Sequence, residues 1–168
     1  MVDPDGLIGA ARLLLGESNK GAPNQARLRR AVSTAYYALF HSIAQAATDA
    51  FVGVKHRRSP RYETIYRGFE HRHMKESCAA VDKPTLGPKA SKALGATTVS
   101  QDIRDVASAF VTLQERRHWA DYSPSGKITR AEAQDLVDLA AFAGGQLPAT
   151  NAEERRNFLA YLMLAVRG

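Results

Sequence analysis

Arginine and histidine crowd into one stretch of this sequence, Arg67-Gly-Phe-Glu-His71-Arg72-His73, with Lys75 two residues further on. Guanidinium forks match the oxygens of a phosphate, so several such donors within two and a half helical turns could grip one. On a single helix Arg67 and His71, four apart, would share a face. The plainer reading pairs Glu70 with His73 and leaves a wet helix face. Just upstream, Lys55-His56-Arg57-Arg58-Ser59-Pro60-Arg61 adds further cations. The candidate nucleic-acid contacts are therefore Arg57, Arg58, Arg61, Arg67, His71, Arg72, His73 and Lys75.

A second cluster, Arg117-His118-Trp119-Ala120-Asp121-Tyr122, lies later in the chain. Arg117 and Asp121 have the spacing of a helix-surface ion pair, worth a few tenths of a kcal/mol, roughly. His118 precedes Asp121 and Tyr122 by three and four residues and shares their face. Tyr37 and His41 also lie one turn apart, and a buried Tyr or His needs a hydrogen-bond partner. His71 and His73, two apart on a helix, point to different faces, and no H-E-x-x-H string occurs, so no metal is implied. The phosphate loops G-x-G-x-x-G and G-x-x-x-x-G-K-[ST] and the G-x-S-x-G elbow are missing too, and no cofactor is implied. The single cysteine, Cys78, forms no intrachain disulfide and reads as a small buried residue.

These residues need a scaffold, and the composition supplies an ordinary one. The chain has 168 residues, 45% hydrophobic and 24% charged, which excludes intrinsic disorder and fibrous repeats and fits one globular domain over 1–168. Its apolar runs, such as Leu13 to Leu15 or Leu159 to Val166, fall short of the ~20 residues of a membrane span. No signal-peptide pattern opens the sequence, so a cytoplasmic protein is expected. The net charge of +6 is local: residues 51–100 hold 10 Lys/Arg against 4 Asp/Glu, while the flanking segments nearly balance. Such a field suits phosphates or another acidic partner, although a solvated surface is the commoner explanation of a charge run.

The apolar period is helical nearly throughout. Asp3-Pro4 starts a short helix that Gly16 and Gly21 close. A second begins near Pro23 and Asn24 and runs to about Phe51, its stripe of Leu28, Val32, Ala35, Tyr36, Leu39, Phe40 and Ile43 broad enough for a central element. A third is predicted over 62–81, followed by a loop over 82–98 rich in Pro and Gly. Ser100 caps a fourth that ends at Tyr122. Thr129 and Glu132 form a capping box for a fifth over 130–146, and Asn151 caps a last helix over 151–166. The fold class is all-α, an antiparallel bundle of about five to six helices, with its core over 7–147.

Two segments taken together carry a family resemblance: Arg30-Ala-Val-Ser-Thr-Ala-Tyr-Tyr-Ala-Leu-Phe-His41, and Leu113-Gln-Glu-Arg-Arg-His-Trp-Ala-Asp-Tyr122 followed by Ile128-Thr129 and Glu132-Ala133. Their order and spacing resemble the HEPN superfamily. The resemblance implies a helical bundle that pairs as a homodimer. It also implies a repertoire of metal-independent endoribonucleases, toxins of toxin–antitoxin pairs and defence proteins, and non-catalytic adaptors of nucleotidyltransferase-like proteins. Catalytic members look like R-x(4–6)-H: the arginine steadies charge growing on a phosphate while the histidine moves protons. By that resemblance Arg117 is the phosphate clamp, but the place of the second histidine holds Asp121, Tyr122 and Ser123. His118 or His41 would have to supply the imidazole. The expectation is RNA or nucleotide binding, with or without residual cleavage.

Overall fold

The computed structural model describes residues 2–16 and 24–164, and among them all regular structure is helical. Eight α-helices follow one another: α1 (Pro4–Leu15), α2 (Gln25–Val52), α3 (Pro60–Arg67), α4 (His71–Val81), α5 (Pro88–Leu94), α6 (Gln101–Tyr122), α7 (Arg130–Gln146) and α8 (Ala152–Met163). Short 3₁₀ turns occupy Val54–His56 and Leu147–Ala149. None of these helices is long and apolar enough to cross a membrane.

The all-α class is as the periodicity predicts, but eight helices stand where five or six were expected, for two physical reasons. The helix predicted over 62–81 is two helices. α3 stops at Arg67, Gly68 caps it, and Glu70 takes an extended conformation (φ −102°, ψ 127°) before α4 begins. That break buries Phe69. The predicted loop over 82–98 contains α5, which starts on Pro88 and ends at Gly95 in the left-handed conformation (φ 68°). Proline fits the first helical position and glycine the position after the last, so these residues delimit a short helix here.

Elsewhere the caps act where their side chains predict. Asp3 accepts from the Asp5 N–H at the start of α1, and Gly16 (φ 69°) closes it. Asn24 accepts from the Arg27 N–H ahead of α2. The capping box of α7 is complete: the Thr129 N–H donates to Glu132 Oε2 at 2.7 Å, and the Glu132 N–H donates to Thr129 Oγ1 at 3.2 Å. Asn151 accepts from the N–H groups of Glu153 and Glu154 at the start of α8. Gly21, Pro23 and the end of the last predicted helix at 165–166 lie outside the described residues.

The chain divides into two compact units, Met1–His41 with Ala109–Gly144, and Ser42–Ser108 with Gly145–Gly168. In the first, α1 runs antiparallel to α7: Arg130 donates to the Leu15 carbonyl, and Arg12 meets Asp138 further along. The first half of α2 runs antiparallel to the second half of α6, with Tyr36 and Phe110 ring to ring at 5.6 Å. Ala31, Val32, Ala35 and Leu39 are buried with Leu113, Ala133, Val137 and Ala140, and the many alanines let the helices approach closely. The second unit buries Tyr62, Met74, Cys78, Val81, Leu94, Ile103, Val106, Phe158 and Leu159.

Candidate functional site

In the first unit, two helical rows with four-residue spacing meet. Ser33, Tyr37 and His41 lie along α2, and Arg117 and Asp121 lie along α6. Arg117 Nε sits 2.8 Å from Asp121 Oδ2, off the hydrogen-bonding line, and its Nη2 donates to the Tyr37 hydroxyl at 3.0 Å. The guanidinium also lies over the rings of Tyr37 and Tyr36, at 5.4 and 5.8 Å. The Ser33 hydroxyl donates to the other oxygen of Asp121 at 3.0 Å. With only 21% of the Arg117 side chain and 28% of the Asp121 side chain exposed, this pair is more enclosed than a surface ion pair.

His41 stacks on Tyr37 at 6.2 Å and touches the Phe40 ring. Burial holds its pKa below the usual 6.5, because the charged imidazolium loses hydration there. His41 and Arg117 thus both touch Tyr37, the one by its ring face and the other at its hydroxyl. His118, exposed on α6, turns instead to the Tyr122 ring at 4.8 Å. At neutral pH the site therefore offers a guanidinium opposed by a carboxylate and a neutral, half-buried imidazole able to accept a proton.

Beside this network lies a cleft of about 420 Å³, lined by Ala26, Arg29 and Arg30 of α2 and by Ala120 to Pro124 at the end of α6. Arg29 is turned to the helix end: its Nε donates to the Ala120 carbonyl at 2.6 Å, and its Nη2 donates to the carbonyls of Trp119 and Ser123. The Trp119 carbonyl also accepts from the Ser123 N–H, and all three carbonyls lie at the C-terminal end of α6, the negative end of its dipole. Trp119 is a structural ring, flanked by the guanidinium groups of Arg116 and Arg29 at 5.0 and 5.7 Å.

The basic residues predicted between 55 and 75 fall into two groups. Arg57 donates to both carboxylate oxygens of Asp49, at 2.9 and 2.5 Å, and the Tyr62 hydroxyl donates to the same carboxylate at 2.9 Å. Burial pushes Asp49 upward, but these hydrogen bonds and the charge of Arg57 outweigh it and hold the carboxyl below its ordinary value. Burial and the adjacent carboxylate push the Tyr62 hydroxyl up. Arg67 pairs with Glu63 at 2.7 Å and Arg72 with Glu76 at 2.9 Å, both exposed and one turn apart. His73 Nε2 lies 3.0 Å from the Leu164 carbonyl and 3.5 Å from Ser77 Oγ, whereas Glu70 stands at the N-cap of α4. His71 and Lys75 occupy half-buried positions on α4. Because the chain breaks between Arg67 and His71, these two do not lie one turn apart on one helix, and the Arg67-to-His73 string is not a single face.

The second group sits on the connection from α2 to α3 and on the first turn of α3. Lys55, His56, Arg58 and Arg61 are exposed, and their side chains have no partner among the described residues. Phe51 and Val54, 37% and 59% exposed, directly precede them in the chain. Cys78 is fully buried, and desolvation pushes its thiol up, away from reactive thiolate. Among the described residues no three His, Cys, Asp or Glu come together as a metal site.

The sequence reading passed over Ser33, Arg29 and Arg30, and took Tyr37 only as a core residue. One signal was present: Ser33, Tyr37 and His41 recur every four residues inside an otherwise apolar stripe, which marks a polar seam needing partners. Compared with protein-family models, curated proteins and solved structures, the chain matches none.

Proposed function

We propose that this chain is an RNA- or nucleotide-binding protein of HEPN-like character, with Lys55, His56, Arg58 and Arg61 as its phosphate contacts. The observation that carries this reading is the exposure of these four side chains without partners among the described residues, with the partly exposed Phe51 four residues before Lys55 in the chain. Cations that answer no carboxylate among the described residues are available to phosphate, and an aromatic side chain close by in the chain offers a base somewhere to stack. Arg57, Arg67 and Arg72 contribute less, since each already faces a carboxylate. Binding is favoured over cleavage, because Arg117 is opposed by Asp121 and the position of the second motif histidine is not an imidazole.

The test is incubation of the purified chain with single-stranded and transfer RNA in the presence of a chelator. Retention that weakens with salt and drops in a Lys55→Ala/Arg58→Ala/Arg61→Ala variant is the expected result, without cleavage products. No retention at low ionic strength would overturn the reading, and cleavage abolished by Arg117→Ala would replace it with a metal-independent ribonuclease. Pairing with a second copy or with a nucleotidyltransferase-like partner is a separate reading, favoured by the exposed Leu13 and Phe142 of the first unit, at 78% and 59%. Light scattering of the wild type and of Leu13→Glu and Phe142→Glu tests it.

A further inference from the structure

One carboxylate ties down the basic connection between α2 and α3. Asp49, in the last turn of α2, receives two nitrogens of Arg57, Nε at 2.9 Å on Oδ1 and Nη2 at 2.5 Å on Oδ2, and the Tyr62 hydroxyl donates to Oδ1 at 2.9 Å. Arg57 lies on the connection itself, and Tyr62 in the first turn of α3. The carboxylate therefore holds both the loop and the helix that receives it. Local bonds complete the path: Gly53 leaves α2 at φ 96°, the Ser59 N–H donates to the His56 carbonyl at 2.8 Å, and Ser59 Oγ accepts from the Tyr62 N–H at 3.2 Å. The clasp is well enclosed, with Tyr62 buried and only 17% of the Asp49 side chain exposed.

Lys55 and His56 precede Arg57, and Arg58 and Arg61 follow it, all four exposed without partners among the described residues. Cations on a loose loop would have to be ordered by the strand they bind, and that ordering subtracts from affinity. A loop already held in one shape avoids the loss. The clasp also occupies Arg57, because a guanidinium fork filled by a carboxylate has little left for a phosphate. The geometry points to Asp49, Arg57 and Tyr62 as positioning residues, which hold Lys55, His56, Arg58 and Arg61 in the arrangement that binds RNA without touching the strand themselves. This assignment rests on the phosphate contacts proposed at 55–61. Charge and position make opposite predictions for one substitution. Asp49→Asn deletes a negative charge and frees Arg57, so charge alone tightens binding, by about fivefold near 0.1 M salt for one more phosphate neutralised. Loss of the clasp weakens it.

Filter binding of a single-stranded RNA to the full chain tests the assignment. Asp49→Asn is expected to bind about fivefold more weakly than the wild type despite its extra positive charge. The double variant Asp49→Asn/Arg57→Gln, whose net charge equals that of the wild type, is expected to be weakened as much. Tyr62→Phe, which alters no charge, should lose about twofold. Binding by Asp49→Asn that is unchanged or tighter overturns the proposal, and so does a double variant that binds like the wild type. Circular dichroism checks folding, and where Asp49→Asn does not fold, Tyr62→Phe carries the test. A second measurement needs no RNA. Under native conditions, tryptic cleavage after Lys55, Arg57, Arg58 and Arg61, located by mass spectrometry, should be about tenfold faster in Asp49→Asn and faster also in Tyr62→Phe. Cleavage at the wild-type rate in both variants overturns the clasp. If the wild type retains no RNA, the reading of 55–61 falls and trypsin decides the clasp alone, so the two fail separately.

Discussion

Arg117, the residue the family resemblance makes a phosphate clamp, is held from three directions, by the Asp121 carboxylate, the Tyr37 hydroxyl and two tyrosine rings. Each contact lowers the free energy of the guanidinium where it lies, so a phosphate must compete with them to engage it. His41, at the other side of Tyr37, is held neutral by burial, and this gives the site a pH signature. Its pKa in the folded chain lies below the 6.5 of the unfolded chain. As pH falls through 6.5 the unfolded chain takes up a proton that the folded chain resists, so stability falls with pH in that window and is fully present above it. Urea unfolding at pH 7.5 and pH 5.5 should show a lower midpoint at the acid pH, and His41→Gln should show a smaller drop. One proton sets the limit, about 1.4 kcal/mol per pH unit. An equal drop in the variant would assign the effect to other groups.

At the scale of elements, the turn between α6 and α7 is fixed by packing. Gly126 does not need a positive φ; it needs space, because a Cβ there would lie 2.7 Å from Trp119 Cε2. Gly126→Ala must therefore displace the ring from between Arg116 and Arg29, at a cost of about 1–3 kcal/mol. Denaturant unfolding measures the loss, and the fluorescence of the only tryptophan reports the displacement in the folded chain. A stability within 0.3 kcal/mol of wild type, roughly, would show that the ring yields freely. The same turn illustrates what a sequence exposes. Ser100, Thr129 with Glu132, and Asn151 announce helix starts because capping is local, a side chain meeting a backbone N–H two or three residues away. The split at Gly68 was hidden, because what turns the chain there is the burial of Phe69, a tertiary reward. Pro88 and Gly95 were visible but ambiguous, since the same residues mark loops and helix ends. In the site, the Arg117–Asp121 pair is legible from spacing alone and Ser33 from its four-residue recurrence with Tyr37 and His41, whereas Arg29 becomes recognisable only through a partner 91 positions away.

For the whole molecule the question is how much of the +6 charge is available to a partner. Residues 51–100 concentrate it, but Arg57, Arg67 and Arg72 stand opposite Asp49, Glu63 and Glu76, and each such pair contributes nearly nothing to the distant field. The exposed Lys55, Arg58 and Arg61 face no carboxylate among the described residues. If each of the three permanent cations neutralises one phosphate of a single strand, each releases about 0.7 counterion on binding. The slope of log affinity against log salt should then become shallower by about 2 in the Lys55→Ala/Arg58→Ala/Arg61→Ala variant. Replacing Arg57, Arg67 and Arg72 by alanine instead should change the slope by less, because cations already facing a carboxylate neutralise few phosphates to begin with. Filter binding of a single-stranded RNA between 50 and 200 mM salt, roughly, separates the two outcomes. Equal slopes in the two triple variants would mean that RNA reads total charge, and that the exposed connection between α2 and α3 has no special part in binding.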